Sequence, residues 1–87
     1  MGKIIREVLV CGKMCMPCNM VKDWLKEHNI EVEIKYGEDD MQFCRTYGIA
    51  KTPTLVIMKT VPQSTYEAFE KIDDPQEIMN YFEEKNK

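Results

Sequence analysis

Val8-Leu9-Val10-Cys11-Gly12-Lys13-Met14-Cys15-Met16-Pro17-Cys18 is the stretch that decides how this chain is read. An apolar, β-branched run ends in a glycine-led loop, and two cysteines separated by two residues follow. Cysteines three apart on a helix hold their side chains about 5–6 Å from each other. That separation lets a disulfide close and open with little backbone movement. In a βαβ setting without secretory features, Cys-x-x-Cys reads as a dithiol redox site. Half of a zinc site, or two unrelated core cysteines, are the competing readings.

Working outward, Lys3 to Val10 alternates poorly but is rich in Ile and Val, as a strand buried on both faces would be. Pro17 fits the first turn of a helix, where its missing N–H costs nothing. Val21, Trp24, Leu25 and His28 follow at i, i+3, i+4 and i+7, and Cys18 extends that stripe upstream. Glu31 to Tyr36 alternates with period two and predicts a half-buried strand. Asp39-Asp40 caps a second helix bearing Met41, Cys44 and Tyr47, which Gly48 ends. Thr54 to Met58 is the most apolar run and predicts a central strand. Val61-Pro62-Gln63-Ser64 predicts a turn, and Thr65 to Lys71 a more polar strand at an edge. Asp74-Pro75-Gln76-Glu77 has the form of a capping box, and the helix it opens buries Ile78, Tyr81 and Phe82. The order is βαβαββα in a single α/β domain spanning 1–87: a mixed four-stranded sheet flanked by helices. Strands joined by a helix are expected to be parallel, and the last two to form an antiparallel hairpin.

Composition narrows the function classes. The 87 residues are 44% hydrophobic, enough for one core, and their net charge of −3 is too mild to imply a partner class. No basic stripe with interleaved aromatics appears, so no nucleic-acid partner is expected. No apolar stretch approaches the roughly 20 residues that span a bilayer, so no membrane partner is expected either. Charges at Lys3, Arg6 and Glu7 break up the N-terminal apolar run before a secretory pattern can form. The expected location is the cytoplasm, where paired cysteines are more often catalytic or metal-binding than structural.

Within the thiol motif the two sulfurs are not equivalent. Cys15 falls near the N-cap of its helix, where free backbone N–H groups and the dipole favour an anion and lower a thiol pKa. Lys13 adds positive charge nearby. Cys18 lies one turn inside, in line with Val21 and Leu25, and should be more buried. Cys15 is therefore the candidate nucleophile and Cys18 the candidate resolving thiol that breaks the mixed disulfide.

With that motif and Tyr47-Gly48-Ile49-Ala50-Lys51-Thr52-Pro53-Thr54-Leu55-Val56-Ile57, the chain resembles the thioredoxin/glutaredoxin superfamily from about Ile4 to Phe82. The resemblance implies a thioredoxin fold in which Thr52–Pro53 is cis and lies against the Cys15–Cys18 pair. It also implies that the Thr52 backbone hydrogen-bonds an incoming peptide. Proline immediately before Cys18 matches the thioredoxin pattern, whereas glutaredoxins usually place it after the first cysteine. Phe69-Glu70-Lys71-Ile72 stands where glutaredoxins tend to carry Gly-Gly, and Met14 stands where thioredoxins place an aromatic residue. Asp73-Asp74 matches an acidic pair that some glutaredoxins use, and a helix cap explains it equally well. Met14 and Met16 can form an adaptable apolar rim for protein substrates. Pro17, between the thiols, tunes the couple.

The expected function is thiol–disulfide oxidoreduction without a cofactor or metal, by a monomer acting on disulfide-containing proteins. By resemblance, ribonucleotide reductase is one such acceptor, and the reductant is a flavin-dependent thioredoxin reductase or, in the glutaredoxin alternative, glutathione. A non-catalytic metal-binding or scaffold domain of the same fold is the alternative of another class. Cys11-x-x-x-Cys15-x-x-Cys18 also has the spacing of an iron–sulfur motif, and Cys44 could complete a four-cysteine zinc site. Cys44 reads more simply as a small core residue, and Cys11 as a strand-end or accessory thiol. His28 and Trp24 read as structural. Glu7 and Glu33 are candidates for a buried acid that moves a proton to the resolving thiol.

Overall fold

The computed structural model describes residues 3–60 and 67–85. Its elements are β1 (Lys3–Cys11), α1 (Met16–Glu27), β2 (Glu33–Tyr36), α2 (Met41–Tyr47), β3 (Thr54–Thr60), β4 (Glu67–Ile72) and α3 (Pro75–Lys85). The sheet order is β2-β1-β3-β4, with β1 parallel to β2, β3 antiparallel to β1, and β4 antiparallel to β3. The βαβαββα order and the mixed sheet are those expected.

The unbroken apolar character of β1 follows from its place. Val8, Leu9, Val10 and Cys11 expose no surface. Leu9 and Cys11 face a cluster with Cys18, Val21 and Leu25 of α1 and Ile78, Met79 and Phe82 of α3. Val8 and Val10 face the other way, joining Val56 and Met58 under Phe43, Cys44 and Tyr47 of α2. Each fully buried Val or Leu stabilises the fold by roughly 1.5–3 kcal/mol, so this strand anchors both layers.

One topological expectation fails. β1–α1–β2 is a parallel unit, but β3, joined to β2 by α2, runs antiparallel to β1 and pairs with it instead. Gly48 ends α2, and the chain from there returns to the end of the sheet at which β2 left it. β3 therefore starts at the end where β1 and β2 finish, with Thr54 opposite Val10.

Smaller departures have local causes. β2 begins at Glu33 rather than Glu31, and its burial does not alternate, because at the sheet edge Ile34 stays 40% exposed. On α2, Phe43 packs inward and Met41 does not. Met79 is buried on α3 where Tyr81 was expected; Tyr81 is half-buried and donates its hydroxyl to Glu7. Trp24 is half-buried and stacks on the exposed His28, whose Nδ1 lies 2.9 Å from the Trp24 carbonyl. The expected turn at Val61-Pro62-Gln63-Ser64, and Thr65 and Tyr66 of the expected last strand, lie outside the described residues.

Gly48 closes α2 in the left-handed region, at φ 64°, and its carbonyl accepts a hydrogen bond from Lys71 Nζ at 2.9 Å. A Cβ there would sit 3.2 Å from that ammonium. The left-handed backbone alone costs a non-glycine residue roughly 1–2 kcal/mol. Gly48→Ala should lower the unfolding free energy by about that amount, read as a reduced urea midpoint with unchanged slope.

Candidate active site

β1 ends at Cys11, and Gly12 turns the chain toward α1. A Cβ on Gly12 would lie 3.2 Å from Thr52 Oγ1 and 3.3 Å from Cys15 Cβ, so a side chain there would push these neighbours back by a few tenths of an ångström. Cys15 is the N-cap of α1, in extended backbone at φ −120° and ψ 107°. Its sulfur accepts the Cys18 N–H at 3.3 Å, and its carbonyl accepts the Asn19 N–H at 3.1 Å. Pro17 occupies the first turn, where no intrahelical donor is required.

Cys15 and Cys18 form a disulfide, with their Cα atoms 5.2 Å apart. Their environments differ as the helix register requires: Cys15 is half-buried, whereas Cys18 exposes nothing and packs among Leu9, Cys11, Val21 and Leu25. Thr52 comes from the segment before β3, across a cis Thr52–Pro53 bond, and Pro53 is buried. The Thr52 hydroxyl donates to Cys15 Sγ at 3.5 Å, and the Thr52 carbonyl lies 3.7 Å from the same sulfur. One backbone N–H, one hydroxyl and the N-terminus of α1 thus converge on Cys15, an arrangement that favours negative charge there.

Met14 and Met16 flank the pair at 99% and 80% exposure, so the apolar rim faces solvent. Lys13 is turned elsewhere than expected. Its Nζ pairs with Asp39 at 2.9 Å and its backbone N–H donates to Glu38 at 2.9 Å, so Asp39 matches its charge. Both proton-transfer candidates move away from the thiols. Glu33 is exposed and paired with Arg6. Glu7 is held by Tyr81 and Lys85, each at 2.6 Å. It lies four residues before Cys11 on the strand, roughly 13 Å away.

The remaining cysteines are separated by the sheet. Cys11 belongs to the cluster under α1 and α3, and burial pushes its thiol pKa up, with Lys22 partly opposing. Cys44 is half-buried against the opposite cluster. The four cysteines therefore do not converge, and among the described residues no group of three or more His, Cys, Asp or Glu could hold a metal. No described helix is long and apolar enough to cross a membrane.

No protein-family model matches the chain, and no curated protein matches it in sequence. Among solved structures, thioredoxin 1 from the thermophilic eubacterium Thermosipho africanus TCF52B is similar at 15% identity with a TM-score of 0.54. The match covers 95% of this chain and 100% of that one. This chain has the thioredoxin fold. At that identity the likeness concerns the fold, and the chemistry rests on the residues just described.

Within the thioredoxin fold, Glu38 and Asp39 are the residues that sequence reasoning missed. An acidic run after a strand reads as a helix cap, and only Asp40 is one, accepting the Phe43 N–H at 3.1 Å. Glu38 and Asp39 instead pin the loop before Cys15, because parallel pairing of β1 and β2 brings both strand ends together. The Lys13 N–H, first among its contacts, holds the Glu38 carboxyl below the usual range. A lowered folded-state pKa gives stability that is present above the ordinary carboxylate range and lost as pH falls. Glu38→Gln keeps an acceptor but does not titrate. Acidification from about pH 5 to pH 3 should therefore lower its urea midpoint less than that of the parent protein.

Thr52→Val tests the hydroxyl contact. Loss of one donor to the thiolate should slow alkylation of Cys15 at neutral pH by roughly two- to tenfold, and shift its pH midpoint upward. An unchanged profile would show that the contact does not act on the sulfur.

Proposed function

We propose that this chain is a thiol–disulfide oxidoreductase that reduces disulfides in proteins. The observation that carries the reading is the asymmetry of the pair: Cys15 at the helix N-cap receives two donors, while Cys18 is sealed beneath it. The Cys15 thiolate attacks one sulfur of the partner's disulfide, held against Thr52, forming a mixed disulfide and releasing the partner's other sulfur as a thiolate. That thiolate takes up a proton. Cys18 then loses its proton and attacks Cys15 Sγ, and the second partner sulfur leaves as a thiolate that takes up a proton in its turn. The partner gains two electrons and two protons, and Cys15–Cys18 is oxidised to the disulfide. A flavin-dependent reductase of the thioredoxin-reductase kind reopens it. The proline placement and the Phe69-Glu70-Lys71-Ile72 segment support that reductant over glutathione.

Equilibration in graded thiol/disulfide buffers, with free cysteines counted by mass, should show a two-electron Cys15–Cys18 couple near about −270 mV, the value of a reductant. A couple near about −120 to −180 mV would mark an oxidant or isomerase instead. Cys15→Ser should abolish turnover of a disulfide-bonded protein, and Cys18→Ser should accumulate a mixed disulfide through Cys15. Turnover retained in Cys15→Ser would overturn the mechanism.

A further inference from the structure

An open groove of about 750 Å³ runs from Thr52 along the seam between α2 and residues 48–51. It abuts the site directly, because Thr52 is both part of its wall and the residue touching Cys15 Sγ. Met41 and Ile49 make part of the wall apolar, and Met41 is 59% exposed. Two cations stand on the wall, Arg45 and Lys51. The Arg45 guanidinium has no ion-pair or hydrogen-bond partner among the described residues. Lys51 approaches Asp73 only to 4.0 Å, with both side chains about two-thirds exposed (65% and 60%). Among the described residues the one carboxylate lining the groove is Glu38, which accepts the Lys13 N–H. Glu38 keeps its charge, so the wall carries Arg45 and Lys51 against one carboxylate, a small positive excess on a chain whose net charge is −3.

Resting on the activity proposed above, we infer that this groove seats the partner segment next to the disulfide under attack, and that the segment is acidic. Aspartate or glutamate within a few residues of the attacked cysteine meets Arg45 and Lys51, while an apolar neighbour lies on Met41 and Ile49. An unpaired guanidinium is suited to this, since its planar fork takes a carboxylate bidentately without first breaking an internal pair. Exposed pairs of this kind each contribute little, so selectivity is a matter of several-fold and is sensitive to salt.

The test uses the full chain and three end-blocked peptides that close the same disulfide. The two residues beside one cysteine are Asp in the first, Gln in the second and Lys in the third. At low ionic strength kcat/KM should fall in the order Asp, Gln, Lys, with about five- to tenfold between the extremes, and the spread should narrow in 0.5 M salt. The double variant Arg45→Glu/Lys51→Glu should invert the order, and the milder Arg45→Gln should narrow it. Equal turnover of the three peptides, preference for Lys, or an order unchanged in both variants would each overturn the inference while leaving the oxidoreductase reading intact. Turnover of none of them would overturn that reading itself.

Discussion

β1 is bonded on one edge to β2 and on the other to β3, and is packed on both faces, so its C-terminal end has nowhere to move. The site depends on that immobility. Gly12 leaves the strand where Cys15 at the head of α1, Thr52 and Glu38 all lie within 4.0 Å of the place its Cβ would take. Three loops that are distant in sequence are held together because the strands feeding them share hydrogen-bond ladders. The contacts of 3.3–3.7 Å at Cys15 Sγ are thereby set by the sheet rather than by the loops themselves.

The same geometry gives the two cysteines different surroundings. A helix N-cap is the place where a side chain can accept an otherwise unpaired backbone N–H, and Cys15 uses it as Ser or Asp would elsewhere. One turn later the helix has rotated Cys18 onto the buried stripe. It packs among Leu9, Cys11, Val21 and Leu25, and Glu7 is committed to Tyr81 and Lys85 of α3.

Much of this was legible beforehand. The N-cap position of Cys15, the burial of Cys18, the glycine stop at Gly48 and the proline start of α3 all depend on neighbours within one helical turn, and local spacing encodes them. Thr52 against the thiols was expected from resemblance, not from local pattern. The direction of β3, the exposure of Met41, the turning of Lys13 toward Asp39 and the removal of Glu7 and Glu33 from the site were not legible. Each depends on which strand lies beside which, and an edge strand and a central one can share the same apolar pattern.

By itself the sequence determined the elements, their order, the thiol pair and which sulfur caps a helix, because propensity, capping and period act over a few residues. Tertiary structure alone decided what surrounds that sulfur. The Thr52 hydroxyl, the Glu38 and Asp39 anchors and the cationic groove at Arg45 and Lys51 are brought in by strand pairing across more than twenty residues of chain. Such pairings are chosen by the burial of whole sheet faces, a sum over the fold that no short stretch of sequence contains.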